Sequence, residues 1–270
     1  MNSSDAVRLT TDGTMKFDPV FVKGGEEIVY TVLDSPVQMR LMRLKLGEKM
    51  PAKLHADATT SEFEVTFTAD GGAYAFVQSR ANLNLKLVIR DAQTGKDAVF
   101  DPGGGFAGIR RPSFHPGSER IAFAIPSANG QEIVSIGRDG QNRKTLTSGG
   151  INNWPAYSPD GKQIAFCSSR DGEFDLYVMN ATGGEVKRII KLEGMQARPC
   201  WSPDGKRLAF TWNRAGNYDI YVVNLDGSGL VRITDSSERS DYAAWHPDGK
   251  SLVFVGERDG KFDLYRVAVK

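Results

Sequence analysis

The chain repeats itself six times, and the copies run from one end of its 270 residues to the other. The clearest are WPAYSPDGKQIAFCSSRDGEFDLYVMN from Trp154, RPCWSPDGKRLAFTWNRAGNYDIYVVN from Arg198 and YAAWHPDGKSLVFVGERDGKFDLYRVA from Tyr242. Worn copies precede them: DPVFVKGGEEIVYT from Asp18, EVTFTADGGAYAFV from Glu64 and RPSFHPGSERIAFA from Arg111. One aromatic marks the same slot in each, at Phe21, Phe67, Phe114, Tyr157, Trp201 and Trp245, with spacings of 46, 47, 43, 44 and 44 residues. A period in that range, built of short strands and turns, belongs to the blade of a propeller. The expected fold is all-β: a six-bladed β-propeller of four-stranded antiparallel blades, with blades at about 16–57, 62–102, 109–148, 152–192, 196–235 and 240–270 plus 5–11. A scaffold of this kind names no activity by itself.

The fourth copy shows how one repeat becomes four strands. Pro155 to Ser158 is a short strand that runs into the turn Ser158-Pro159-Asp160-Gly161, where proline presets one φ and glycine supplies the positive φ of the reversal. Strands are expected over Lys162–Ser168, Phe174–Met179 and Glu185–Ile190, separated by turns at Arg170–Glu173 and at Asn180. Bulky residues recur on both strand faces, with Phe166, Phe210 and Phe254 in the second strand and Tyr177, Tyr221 and Tyr265 in the third. Only a sheet covered on both sides needs that pattern. The sixth copy supplies three strands, while Val7-Arg8-Leu9-Thr10 reads like Val231-Arg232-Ile233-Thr234 and stands the same distance before the next aromatic. The N-terminal strand is therefore expected to complete the last blade and close the ring, which removes open sheet edges.

Charge and composition exclude some partners. With 34 Lys and Arg against 33 Asp and Glu, the net charge is +1 and no basic block stands out, so no nucleic-acid partner is expected. No apolar stretch approaches the length of a membrane span, so no membrane insertion is expected. The opening MNSSDAVRLTTDG lacks a charged region followed by an apolar core, so no secretory signal is visible. Cys167 and Cys200 occupy regular strand positions and read as small buried apolar residues rather than a disulfide.

The segments WSPDGKRLAF from Trp201 and YSPDGKQIAF from Tyr157 resemble the repeats of the TolB-like propellers, a six-bladed branch of the WD40-like repeats. So do the triplets Asp175-Leu176-Tyr177, Asp219-Ile220-Tyr221 and Asp263-Leu264-Tyr265. Blade 1 departs from the pattern, with Lys23-Gly24-Gly25 in place of Pro-Asp-Gly. The resemblance implies a stand-alone propeller without the N-terminal α/β domain of complete TolB proteins. It also implies a periplasmic or exported, monomeric module that grips a protein or peptide at its channel mouth, with a Pal-like envelope lipoprotein as one such partner.

Aligning the copies puts Asp18, Glu64, Arg111, Trp154, Arg198 and Tyr242 at one level of the channel entrance, and Phe17, Phe63, Arg110, Asn153, Ala197 and Asp241 at the level before. The six copies disagree here, mixing acids, arginines and aromatics, as an interface hot spot does. The expected partner-binding set is Glu64, Arg110, Arg111, Trp154, Arg198, Asp241 and Tyr242. The residues leave a second reading open, in which Trp154 and Tyr242 cap the core between blades and the charges are solvated. Arg170, Arg214 and Arg258 each precede Asp175, Asp219 and Asp263 by five residues, and are expected to pair with them and pin each blade loop.

Signals for chemistry are weak. Gly103–Gly108 matches a dinucleotide fingerprint in letters, but it leads into a strand rather than a helix. His55, His115 and His246 read as turn and surface residues without the spacing of zinc ligands. No Gly-x-Ser-x-Gly elbow is present. Asn2-Ser3-Ser4 and Asn180-Ala181-Thr182 fit a glycosylation triplet that is too short to carry weight. No cofactor and no metal are expected. Glu62, Glu64, Asp18 and Asp241 border the mouth, which keeps open a carbohydrate-active enzyme, lyase or glycosidase, using paired carboxylates. A gating or docking module of a larger protein is the other alternative.

Overall fold

The computed structural model describes residues 6–80, 84–103, 108–214, 216–234 and 238–269. Gly104–Ala107 of the glycine run and Asn2-Ser3-Ser4 lie outside these residues. Six sheets, each of four antiparallel strands, form the six blades. The first strand of each blade spans Lys16–Val22, Ser61–Phe67, Arg110–Phe114, Asn152–Tyr157, Met195–Trp201 or Ser240–Trp245. These six strands touch their neighbours in sequence and the sixth touches the first, so they form the inner ring. No helix among the described residues is long and apolar enough to cross a membrane.

Blade 4 follows its sequence pattern closely, with strands at Asn152–Tyr157, Gln163–Ser168, Asp175–Asn180 and Lys187–Ile190. At its first turn Gly161 has φ 72° and donates its N–H to Ser158 O at 2.9 Å. Ser158 Oγ and the Lys162 N–H both donate to Asp160 Oδ1, at 2.6 and 3.1 Å. The same serine–aspartate lock recurs at Ser202 and Asp204, at 2.6 Å. The ring closes as its ends suggest: Val7–Arg8 pairs with Lys261–Ala268, followed by Ser251–Arg258 and Ser240–Trp245.

The core is a repeated layer of rings between blades. Tyr30, Phe76, Phe123, Phe166, Phe210 and Phe254 hold equivalent second-strand positions and are all fully buried. Tyr177 and Tyr265 stack on Phe166 and Phe254 with centroids 5.8 and 5.7 Å apart. Removing one such ring costs about 3–5 kcal/mol. Cys167 is buried in this layer and both cysteines are free thiols.

The aspartates of the Asp-hydrophobic-Tyr triplets do not pair with Arg170, Arg214 and Arg258, contrary to the sequence expectation. Their partners are the arginines of the fourth strands: Arg188 Nη1 donates to Asp175 Oδ2 at 3.2 Å, Arg232 Nη2 to Asp219 Oδ2 at 2.6 Å, and Arg8 binds Asp263. Side chains that point along one face of adjacent strands meet across the ladder; of the expected arginines, Arg170 lies beyond the second strand, while Arg214 and Arg258 end theirs and lie over the Trp212 and Tyr265 rings. Arg170 instead donates to Ser168 Oγ and Asn152 Oδ1, at 3.0 and 2.9 Å, and covers the Tyr177 ring. Two of these carboxylates also tie their blade to its neighbour: Gln196 of blade 5 donates to Asp175 at 3.0 Å, and Lys16 Nζ of blade 1 lies 3.5 Å from Asp263.

Blade 1 carries Arg40 at the aspartate position, and the junction to blade 2 reverses the arrangement. The acid is now Glu62 on the inner strand of blade 2, 2.6 Å from His55 Nδ1, while His55 Nε2 lies 2.7 Å from the Tyr74 hydroxyl. His55 is thus a half-buried link between blades rather than a surface residue. His115 and His246 also reach across junctions, packing edge-on against Tyr157 and Phe21 at 5.1 and 4.8 Å.

Candidate binding site at the channel mouth

Every inner strand breaks its ladder at the same register. In blade 1 the pairing jumps from Phe17↔Thr31 to Val20↔Val29, so that Asp18 and Pro19 face one residue. Equivalent jumps occur between Phe63 and Thr66, Arg110 and Ser113, Asn153 and Ala156, Ala197 and Cys200, and Asp241 and Ala244. The first residue of each bulge is left-handed: Asp18 (φ 51°), Glu64 (53°), Arg111 (54°), Trp154 (55°), Arg198 (55°) and Tyr242 (59°). Such a conformation costs a non-glycine residue about 1–2 kcal/mol, and a bulge re-aims the side chain it carries. Here all six side chains are re-aimed into one cavity of about 270 Å³ at the channel mouth.

A signal for this was present in the sequence. Proline follows the bulge residue at Pro19, Pro112, Pro155 and Pro199. A proline inside a strand has no N–H to give the ladder and marks a bulge or an edge.

Of the expected set, Glu64, Arg110, Arg111, Trp154, Arg198 and Tyr242 all line this cavity, joined by Asp18, Phe17, Thr31 and Met39. Arg111 forms an ion pair with Asp18 across the channel, and its backbone N–H donates to Glu64 Oε2 at 2.7 Å. Arg110 Nη1 stands 3.5 Å from Glu64 Oε1, with its side chain 48% exposed. The Arg198 guanidinium lies over the rings of Tyr242 and Trp154, at 4.2 and 5.3 Å. Its Nη1 and Nη2 donate to Asp241 Oδ1 at 3.2 Å and the Tyr242 hydroxyl at 3.3 Å. Its buried Nε has no acceptor among the described residues.

Asp241 is not on the cavity wall. It is 1% exposed behind Arg198, where it also accepts from Arg239 Nη2 at 2.6 Å, Thr211 Oγ1 at 2.7 Å and the Tyr242 N–H at 2.8 Å. It fixes the guanidinium that faces the channel. Trp154 combines the two roles left open by the sequence: it packs on Phe174 at 5.7 Å and still lines the cavity.

Electrostatics within the mouth are tightly balanced. Burial pushes the carboxyls of Asp18 and Glu64 above the ordinary range; Arg111 and Arg198 oppose this at Asp18, while Asp18 adds to it at Glu64. Burial works against the Arg198 charge, but Asp241, Tyr242 and Asp18 overcome it and hold the guanidinium above its usual value. A carboxyl with a raised folded-state pKa favours the folded protein while protonated, and that contribution is lost as pH rises through the folded value. Asp18→Asn with Glu64→Gln should therefore flatten the fall in melting temperature as pH climbs above about 4. Thermal melts across pH will show it, and an unaltered slope would exclude these two groups as its source.

Glu62 turns to His55, away from the cavity, so the carboxylates facing the channel are Asp18 and Glu64, both engaged by arginine atoms. Among the described residues, no group of three His, Cys, Asp or Glu side chains is placed to share a metal ion.

Comparison with known proteins agrees with this architecture. A segment of 79 residues is 31% identical to the Tol-Pal system protein TolB of Syntrophus aciditrophicus, covering 27% of this chain and 18% of that protein. The chain thus spans less than a fifth of that relative in the alignment. TolB from Acinetobacter baumannii superposes with a TM-score of 0.74 at 22% identity, over 92% of this chain and 65% of that one. An oligogalacturonate lyase from Vibrio parahaemolyticus shares the fold at a TM-score of 0.64 and 13% identity, over 98% of this chain and 93% of that one. The family model described as "TolB beta propeller domain" matches residues 63–192 and 187–270, and the chain belongs to that family.

Proposed function

We propose that the protein is a non-catalytic scaffold that binds a protein or peptide at the mouth of its central channel. The observation that carries this reading is the ring of six bulges, which turns six side chains of five kinds into one cavity. A scaffold that needed only a plugged channel could repeat one residue there. Arg110, Arg111, Trp154, Arg198 and Tyr242 supply the arginines and aromatics that dominate binding energy at interfaces. Glu64 positions the Arg110–Arg111 pair, and Asp241 positions Arg198.

The curated relatives are named Tol-Pal system proteins. By that resemblance a Pal-like envelope lipoprotein is the first partner to test, and the periplasm or another exported location is the place of action. In affinity capture from the source organism, the double variant Arg111→Ala/Trp154→Ala should lose the partner while its melt shows a folded protein. Each hot-spot truncation costs about 2 kcal/mol or more, so affinity should drop roughly a hundredfold or beyond. Full binding by the folded double variant would refute the site.

A further inference from the structure

The mouth cavity continues outward over blade 2 as a groove of about 410 Å³. Its origin lies in one slot of the repeat, six residues before the aromatic that marks each blade. That slot holds Met15, Ile151, Met195 and Arg239 in blades 1, 4, 5 and 6, but Ser61 in blade 2 and Gly108 in blade 3. Between blades 5 and 6 the large residue covers its neighbour, with the Arg239 guanidinium 4.4 Å from the centre of the Tyr218 ring. Met39 and Leu85 hold the register of Tyr218 in blades 1 and 2. Ser61 Oγ accepts the Met39 N–H at 3.1 Å but is too short to cover the methionine, and Gly108 brings no side chain to Leu85. Two adjacent junctions, on either side of blade 2, are therefore left open.

The groove is lined mainly by Leu33, Val37, Met39, Phe63 and Leu85, and Val37 is 89% exposed at its edge. Met39, Phe63 and Arg110 belong to the groove and to the mouth alike, so the two are continuous. Arg110 is the charge at their border. It is half exposed, whereas Glu64 is 11% exposed; Glu64 Oε1 lies 3.5 Å away, longer than a charge-assisted hydrogen bond. The other oxygen of Glu64 is taken by the Arg111 N–H. A guanidinium has five N–H donors, and one held by a single distant oxygen can accept a second carboxylate. Asp18 is likewise more shielded than its partner, at 7% exposed against 20% for Arg111. A chain approaching the mouth meets guanidinium groups before acids.

We propose that this groove seats an extended acidic–aliphatic segment of the partner chain, a deepening that rests on partner binding at the mouth. An aspartate or glutamate of the segment takes the outer face of Arg110. A leucine or isoleucine two residues along lies between Leu33 and Leu85. Side chains two apart on an extended chain share one face, so both enter together.

The peptide acetyl-Gly-Asp-Gly-Leu-Gly-amide should bind the parent with a Kd of roughly 1 mM, read from NMR shifts. Replacing its aspartate by asparagine, or its leucine by serine, should each weaken binding about five- to tenfold. Arg110→Gln should bring the aspartate and asparagine peptides level. Gly108→Met and, independently, Ser61→Met restore the large residue of the other junctions. A Cβ at position 108 meets Pro126 Cγ at an ordinary 3.8 Å, so the fold should accept the first of these. Each should weaken both the peptide and the captured partner about tenfold. Three results would overturn the proposal: no peptide binding at about 10 mM, equal affinity of the three peptides for the parent, or undiminished peptide binding by folded Gly108→Met. If folded Gly108→Met keeps full partner affinity while Arg111→Ala/Trp154→Ala loses it, the groove fails and the mouth stands. Partner binding lost by Gly108→Met yet kept by the folded mouth variant would refute the mouth and leave the groove as the docking surface.

Discussion

Deletion of residues 1–10 is expected to lower the melting temperature by on the order of 10 °C. Val7 and Arg8 pair with Arg266 and Tyr265, and the Leu9 N–H continues the ladder to Leu264 O at 2.8 Å. The larger loss falls on Asp263, which is fully buried and binds Arg8. It also accepts from Thr10 Oγ1 at 2.7 Å, and Thr10 Oγ1 in turn accepts from the Leu264 N–H at 3.0 Å. Without the strand this carboxylate keeps Lys16 as its neighbouring cation and loses its hydroxyl and guanidinium donors. Leaving a buried charge short of its partners costs about 3–5 kcal/mol. The same deletion opens an unpaired edge on the last blade, so aggregation should accompany the earlier melt. Thr10→Val with Arg8→Ala should reproduce most of the loss in calorimetry while keeping the chain length. A deletion variant that melts with the parent would contradict closure through Asp263.

Asp241→Ala is expected to weaken both the fold and the partner complex, although Asp241 does not reach the cavity. Four donors converge on this carboxylate, and two of them are the guanidinium groups of Arg198 and Arg239. Removing it strands Arg198, whose side chain is 15% exposed, without its anion. The expected cost is about 3–5 kcal/mol in thermal or denaturant unfolding. Arg198 then loses the contact that holds it over Tyr242 and Trp154, and partner affinity should fall at least tenfold below what the parent shows. Asp241→Asn keeps two acceptor lone pairs and the side-chain volume, and should recover part of both losses. Conversely, Thr211→Val removes one neutral donor and should cost only about 1 kcal/mol with little change in affinity. Equal stability of the alanine variant and the parent would show that Asp241 does not hold the buried Arg198 charge as assigned.

The architecture was legible because its causes are local and repeated. The Ser-Pro-Asp-Gly turns, the single aromatic slot and the Val-Arg-hydrophobic-Thr match between the chain start and residues 231–234 each require a particular φ or a particular neighbour, and the fold uses them so. The ring at the mouth was legible as a list of residues but not as a geometry. Its bulges were announced by proline at four positions inside inner strands, a pattern that alignment by aromatic slots passes over. The partners of the buried aspartates differ from expectation because spacing along the chain favours an arginine five residues earlier, while the sheet brings a fourth-strand arginine alongside and Arg214 and Arg258 lie over aromatic rings. Alignment of the copies puts Asp241 at the mouth because register fixes its level, not the direction of its side chain. The link from His55 to Glu62 arises where one junction departs from the others. A repeat read for its agreement hides its exceptions.

Photo-crosslinking tests the central claim most directly. A photoreactive residue placed at Arg110, half exposed at the channel mouth, is compared with one at Lys206, exposed beside the Asp204 turn of the opposite face. If the mouth is the binding surface, the partner is trapped from position 110 and not from position 206, and added unlabelled propeller competes the product away. Trapping from position 206 alone, with none from 110, would contradict the account.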